Sequence, residues 1–462
     1  MGKKRIIVFG MGKFYERRKD LLGKQNIVAF TDNDVSMQGN KKDQIPIIAP
    51  EEIIKYEYDY ICLASGYQDE MLKQLLNLGI HRNKILKYNE LGRLDKINKL
   101  DRYKILYSNK KRAVFLSHLC NRTGGPIALL NMAKVMAELD IDCTMITISM
   151  EDSKEEYEKY GIRVIEEDDI SINNIYLMKF LRNQNIIVIN GIIMRDIVEP
   201  IQDLNIPILW WIHESLGAPL CNFDCYNFCH KNNLHVYGVG PLACEMFKIK
   251  MHDNNIDTLL YGVDELEFKY ENNRNDTQKD KVVFAIIGRI MYDKGHDILI
   301  NAINALSRNI REKCVFKVIG APSDRTFCQK WEKTINSIDE IDLCGEYDRN
   351  QLVQAYKEID VVICPSRNDT MPTVMAEAML NKKVCITSDK TGIAKLIKNG
   401  ENGFVFEELS SLKLAEIIEH IINNRAELAA IGMKGYHTFE QNFSMPVFKG
   451  NIIKIMKSIK VL

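Results

Sequence analysis

Short apolar runs alternate with stretches of helical periodicity along most of the chain, which predicts strands laid beside helices. The sharpest case is 361–380, VVICPSRNDTMPTVMAEAML. Residues 361–364 are apolar and mostly β-branched, the pattern of a buried strand. Pro365 ends the run, and 366–371 is polar and turn-like. Pro372 stands where a first helical residue would, ahead of a helix over 373–380. Further strands are predicted at 5–10, 27–30 and 60–65, then at 113–118, 143–148, 186–190, 208–214 and 235–240. A last set falls at 282–288, 315–320, 341–345 and 384–387. Helical stretches run to about Leu22, over 69–79, amphipathically over 127–139, and after Met445. This alternation implies an α/β protein. Residues 271–281 (ENNRNDTQKDK) are wholly polar and mark a linker between domains.

Composition narrows the class. A chain of 462 residues suggests about three domains, and 46% apolar residues suffice for proper cores. Zero formal net charge argues against a nucleic-acid binder that works by bulk electrostatics. No run of 18 apolar residues is present, so no membrane-spanning helix is expected. The first residues enter a strand directly, without a signal-peptide pattern. Ile6 in place of Ser or Thr argues against myristoylation of Gly2. Twelve scattered cysteines, several in apolar strands (Cys62, Cys364, Cys385), fit reduced thiols in a cytoplasmic protein. Cys221, Cys225 and Cys229, with His230, share one face if this segment is helical. A buried helix face and a metal site are both open readings there, and the spacing favours the former. The 81–112 stretch is strongly basic, either a solvated linker or a surface for anionic lipid.

The 361–380 unit also carries chemistry. In an open parallel sheet, ligands bind outside the carboxyl ends of the strands. A helix that starts there offers N–H groups and a positive dipole end to an anion. Asp369 and Glu377 add carboxylates that accept hydrogen bonds from hydroxyls. A nucleotide-sugar, with phosphates in the middle and hydroxyls at both ends, fits that set.

Ser366, Asp369, Thr370, Met371, Pro372, Glu377 and Ala378 stand where glycosyltransferase family 4, the retaining enzymes of GT-B fold, carries its Glu-x7-Glu signature. The stretch resembles that signature, with Asp for the first Glu and Thr-Met for Gly-Phe. Other segments are similar to the family in order. The loop 121–126 with Gly124 and Gly125 resembles its glycine loop, where backbone comes close to a phosphate. His213 resembles its histidine near the donor sugar, and Tyr261-Gly262-Val263-Asp264 its NGVD with Tyr for Asn. Arg289 and Lys294-Gly295 resemble the pair that grips the donor diphosphate. The resemblance implies His213, Asp369, Arg289 and Lys294 as catalytic groups. It implies Gly124, Gly125, Arg289, Lys294, Thr370, Met371, Pro372, Thr373, Val374 and Glu377 as donor-binding ones, with Glu377 toward the ribose. It implies no metal and no cofactor, the nucleotide-sugar being a co-substrate.

Gly10-Met11-Gly12 after the first strand and Asp32 after the second follow the Rossmann arrangement, although Tyr15 replaces the third glycine. This block resembles the small Rossmann-like domain of bacterial glycan-assembly proteins such as sugar O-acetyltransferases. Gly10, Gly12 and Asp32 are therefore a candidate second nucleotide site. Asp32-x-Asp34 reads as a turn rather than a metal motif.

The expected architecture is an N-terminal Rossmann-like domain (1–90), a basic connector (91–111), an acceptor-side domain (112–270), a donor domain (281–445) and a helix that crosses back (446–462). The last three make a GT-B fold of two facing Rossmann-like domains. The expected function is retaining transfer of a sugar from a nucleotide-sugar to a glycan or lipid-linked acceptor in surface polysaccharide synthesis. The expected place is the cytoplasm, with peripheral contact at the inner face of the membrane. The alternative is a non-catalytic nucleotide-sugar-binding protein that regulates or scaffolds glycan assembly.

Overall fold

The computed structural model describes residues 4–16, 26–87, 102–104, 109–151, 153–218, 221–225, 227–265, 281–335 and 338–462. Two units form, Met1–Tyr107 and Ser108–Leu462. Most of the expected basic connector, the polar linker and the predicted helical residues 17–22 lie outside the described residues.

The first unit is built on one sheet. Its strands are β1 (Arg5–Phe9), β2 (Asn26–Thr31), β3 (Lys41–Lys42), β4 (Ile45–Ile48), β5 (Tyr60–Leu63) and β6 (Ile85–Lys87), in the order β3-β4-β2-β1-β5-β6. All pairs are parallel except β3 with β4. Side chains alternate between faces. Ile6 and Val8 enter one core with Phe30 and Cys62, while Ile7 and Phe9 enter another with Ile53 and Leu75. A sheet covered on both faces explains why these strands read as continuous apolar runs.

The second unit holds two parallel sheets. The first comprises β7 (Arg112–Cys120), β8 (Asp142–Met150), β9 (Arg163–Glu166), β10 (Ile186–Asn190), β11 (Ile208–Ile212), β12 (Leu234–Gly238) and β13 (Asp257–Thr258), ordered β13-β12-β11-β10-β7-β8-β9. The second comprises β14 (Val282–Ile287), β15 (Cys314–Ile319), β16 (Ile341–Gly345), β17 (Val361–Cys364), β18 (Val384–Ser388) and β19 (Phe404–Phe406), ordered β16-β15-β14-β17-β18-β19. Strand order reverses between β7 and β10 and between β14 and β17. Such points leave a crevice at the strands' carboxyl ends.

The chain's last helix ties the two sheets together. Helix Leu428–Asn442 belongs to the second sheet's domain, and Met445–Ser458 then lies on the first. Val263 N donates to the Phe443 carbonyl at 2.8 Å, Phe448 stacks on Trp211 at 5.9 Å, and Lys449 pairs with Glu138 at 2.8 Å. Phe448, Ile452 and Met456 are fully buried. Burial of each contributes about 1.5–3 kcal/mol.

Several local expectations change. The helix expected over 127–139 is Gly124–Glu138, so Gly124 and Gly125 open the helix rather than precede it. Asn121 Oδ1 accepts from Thr123 N and Oγ1, and the turn so formed starts the helix early. Pro126 is tolerated because first-turn N–H groups need no helical partner. This helix is also not amphipathic: Ala128 to Met136 are all buried, between its own sheet and the last helix. Pro372 is the N-cap of helix Thr373–Leu380, not its first residue. The strand before His213 stops at Ile212. The 221–229 segment has no α-helix among its described residues, so its cysteines share no helix face. Cys221 is buried, while Cys225 and Cys229 are exposed. His230 spends both ring nitrogens, on Asp253 and on the Leu234 carbonyl, which leaves neither for a metal.

Candidate active site

A cavity of about 410 Å³ opens where the carboxyl ends of the two sheets of the second unit meet. From the first sheet's side it is lined by Gly124, Gly125, His213, Val239 and Tyr261. From the second it is lined by Arg289, Lys294, Asp369, Thr370, Met371, Pro372, Thr373 and Val374. Each follows the end of a parallel strand or opens the helix after it.

Lys294 is held in place by its neighbours. It ends a single turn, Tyr292–Lys294, and Gly295 follows with φ +71°. A Cβ on Gly295 would fall 2.0 Å from the Pro365 carbonyl oxygen, so only glycine lets this loop lie against the end of β17. Arg367 locks the same contact. Its guanidinium forks onto both carboxylate oxygens of Asp297 at 2.9 and 2.7 Å and stacks over the Tyr292 ring at 3.8 Å. The Lys294 ammonium then donates to Asp369 Oδ2 at 2.7 Å. Burial pulls the ammonium pKa down, but the acidic neighbours together, Asp369 foremost, outweigh this, and the net shift is upward.

Two helices start at the cavity. No side chain caps Thr373–Leu380 or Gly124–Glu138. The two N-termini lie close, since a Cβ on Gly124 would sit 3.4 Å from Thr373 Cγ2. Both dipoles therefore add positive potential where the loops meet. The two sides are also stitched directly. Thr370 Oγ1 donates to the His213 carbonyl at 2.7 Å, and Ser215 Oγ to Asn368 Oδ1 at 2.6 Å.

Residues 268–438 match the family described as glycosyl transferases group 1, and residues 109–221 match glycosyl-transferase family 4. Both matches fall in the second unit, in the order of a group 1, family 4 glycosyltransferase. Residues 2–86 match a distinct family, C2185-like, N-terminal. The capsular polysaccharide biosynthesis glycosyltransferase CapM of Staphylococcus aureus is 28% identical over 231 residues, which are 48% of this chain and 54% of CapM. The chain thus spans about half of that relative. An uncharacterized glycosyltransferase of Haemophilus influenzae is 22% identical over 68% of this chain and 91% of its own. In fold, the chain is similar to the crystal structure of Anabaena Alr3699/HepE in complex with UDP and glucose. The TM-score is 0.62 at 17% identity, over 75% of this chain and 99% of that one. The fold of the second unit is GT-B, preceded by a smaller α/β domain.

The residues expected to meet the donor line one cavity, with Glu377 the exception. Its carboxylate lies behind the first turn of the helix, buried, with Arg349 at 2.7 Å and the Tyr356 hydroxyl at 3.4 Å, and it does not line the cavity. Gly10, Gly12 and Asp32 come together in the first unit, at the ends of β1 and β2. There Asp32 Oδ2 accepts from Met11 N at 2.7 Å and Oδ1 from Asp34 N at 3.0 Å, so the carboxylate closes its own loop. Among the described residues no group of three His, Cys, Asp or Glu side chains is placed to hold a metal ion, and no helix is long and apolar enough to cross a membrane.

Sequence reasoning passed over Glu214 and Tyr261 as site residues. Glu214 is the support under His213: its Oε2 accepts from Ile192 N and His213 N, both at 3.0 Å. Burial raises its pKa, against those hydrogen bonds. Burial also lowers the His213 imidazole to about 3, so the ring is neutral. Tyr261 lines the cavity from the Tyr-Gly-Val-Asp turn. The Tyr where the family has Asn was the signal available.

Proposed function

We propose that this cavity takes a nucleotide-sugar and transfers its sugar to a glycan or lipid-linked acceptor, with the anomeric configuration retained and without a metal ion. The observation that carries the reading is convergence: Lys294, Arg289 and two uncapped helix N-termini border one cavity. As the bond to the sugar breaks, negative charge builds on the leaving diphosphate. Fixed cations and N–H groups aimed at that charge stabilise it more than they stabilise the bound substrate. In the free protein Lys294 is matched by Asp369. An arriving diphosphate competes for the ammonium, and Asp369 is then released to accept from a sugar hydroxyl. No protein nucleophile is invoked, because the leaving phosphate guides the acceptor to the same face. The names of CapM and of the UDP-bound HepE support a polysaccharide role and a nucleotide donor. We place the work at the cytoplasmic side of the membrane, with peripheral contact where the acceptor is lipid-linked.

The test is turnover on a panel of nucleotide-sugars. Arg289→Ala and Lys294→Ala should each lower it about 10²–10³-fold, as loss of an anion-stabilising donor does. Wild-type-like rates in both would remove the clamp. Proton NMR of the product should show the donor's anomeric configuration, and inversion would exclude retention. Activity should survive dialysis against a chelator; death restored by magnesium or manganese would overturn the metal-free step. Binding of donor with no transfer to any acceptor would favour the scaffold reading.

A further inference from the structure

Contacts of the 367–370 loop alternate in direction. Asn368 and Thr370 bond to Ser215 and His213 across the cavity, while Arg367 and Asp369 reach residues 292–297 of their own domain. Asp369 takes the ammonium of Lys294 at 2.7 Å. Arg367 takes the chain on both sides of that lysine. Before it, Arg367 N donates to the Asp293 carbonyl at 2.8 Å and Nη1 to the Tyr292 carbonyl at 2.6 Å. After it, the guanidinium forks onto Asp297, and the two side chains are only 18% and 14% exposed. Arg367 itself does not line the cavity. What it does for the site therefore passes through the turn that carries Lys294.

We propose that Arg367 is a positioning residue for the donor's diphosphate, keeping Lys294 aimed into the cavity so that binding does not have to order its turn. The assignment rests on the nucleotide-sugar reading above. Tyr292–Lys294 is one short turn with no side-chain cap, and a piece this short does not hold its shape alone. When a diphosphate draws the ammonium from Asp369, the lysine loses the contact that fixed its tip in the free protein. The brace beneath it is then Arg367, together with the approach of Gly295 to Pro365. A group already held in place costs less conformational entropy to use.

The experiment is calorimetric titration of the full chain with UDP, GDP and ADP. Arg367→Met alone would leave the Asp297 carboxylate buried without its partner, so it is combined with Asp297→Asn. Melting temperatures confirm that the double variant folds. For the nucleotide that binds, it should weaken binding about 10-fold in the wild-type background and less than about 2-fold in a Lys294→Gln background, because residues that act through one another do not add. If the double variant does not fold, Asp297→Asn alone, which removes the fork's charged partner, goes through the same comparison with about a 3-fold loss expected. Wild-type affinity in the folded variant, or the same loss in both backgrounds, overturns this assignment alone. Failure of all three diphosphates to bind the wild type overturns the donor reading and this assignment with it.

Discussion

At the residue scale the site is governed by pairs. Lys294 and Asp369 hold each other at 2.7 Å in the free protein, so a change at either acts on both. Asp369→Asn should leave Lys294 without its counter-charge yet spare affinity for a bare nucleoside diphosphate, while transfer falls. Unchanged transfer would show that Asp369 only parks the lysine. Asp369→Glu, one methylene longer, should keep more activity than Asn. Burial sets a second residue-scale effect. It pushes His213 down to about 3 and His296 down to about 4. In the unfolded chain a histidine titrates near 6.5. Below that pH the unfolded state therefore binds protons that the folded state refuses, and stability is lost as pH falls from about 6.5 toward 4 and then 3. Between pH 6.5 and 5 one such histidine costs about 2 kcal/mol. His296→Leu should remove its share, seen as a smaller loss between pH 7 and pH 5 in urea unfolding. Equal losses in variant and wild type would contradict it.

At the element scale the strands were legible and the loops only in part. Val361–Cys364 and Thr373–Leu380 fall where the apolar pattern puts them and are buried almost throughout, whereas Ile341–Gly345, also where expected, is an edge strand with no buried residue. The 221–229 segment misled: cysteines four apart suit a helix, yet the chain there is held by loop contacts such as Lys250 with the Phe223 carbonyl at 2.6 Å. The loop that carries Lys294 is the element most open to test. Gly295→Ala would need a left-handed backbone and would drive Cβ into the Pro365 carbonyl. It should cost more than about 2 kcal/mol and lower diphosphate affinity, because Lys294 moves with the loop. A variant with wild-type stability would show that the loop can shift freely.

At the scale of the whole molecule the last helix decides how the two sheets of the second unit stay together. Phe448→Ala removes a fully buried ring stacked on Trp211 and should cost about 3–5 kcal/mol in denaturant unfolding. A loss below about 1 kcal/mol would mean that this helix is not needed for the closed arrangement. The first unit is a separate body with its own two cores. A chain that begins at Ser108 should therefore fold cooperatively and keep the wild-type affinity for nucleoside diphosphate. Failure to fold would make the first unit part of the structural framework.

The amino-acid sequence alone determined the α/β class, most strands and the loop–helix unit at 361–380, and its resemblance to family 4 pointed to many of the residues that line the cavity, though not to Tyr261. These follow from local period, turn residues and short motifs, which are written within a few neighbouring positions. Tertiary structure alone decided the partners. That Asp369 meets Lys294 across 75 residues, that Arg349 pairs with Glu377, and that Tyr261 packs on Phe443 are contacts between distant segments. No local pattern encodes them, because which carboxylate a cation reaches depends on sheet order and on how closely a glycine lets two loops approach.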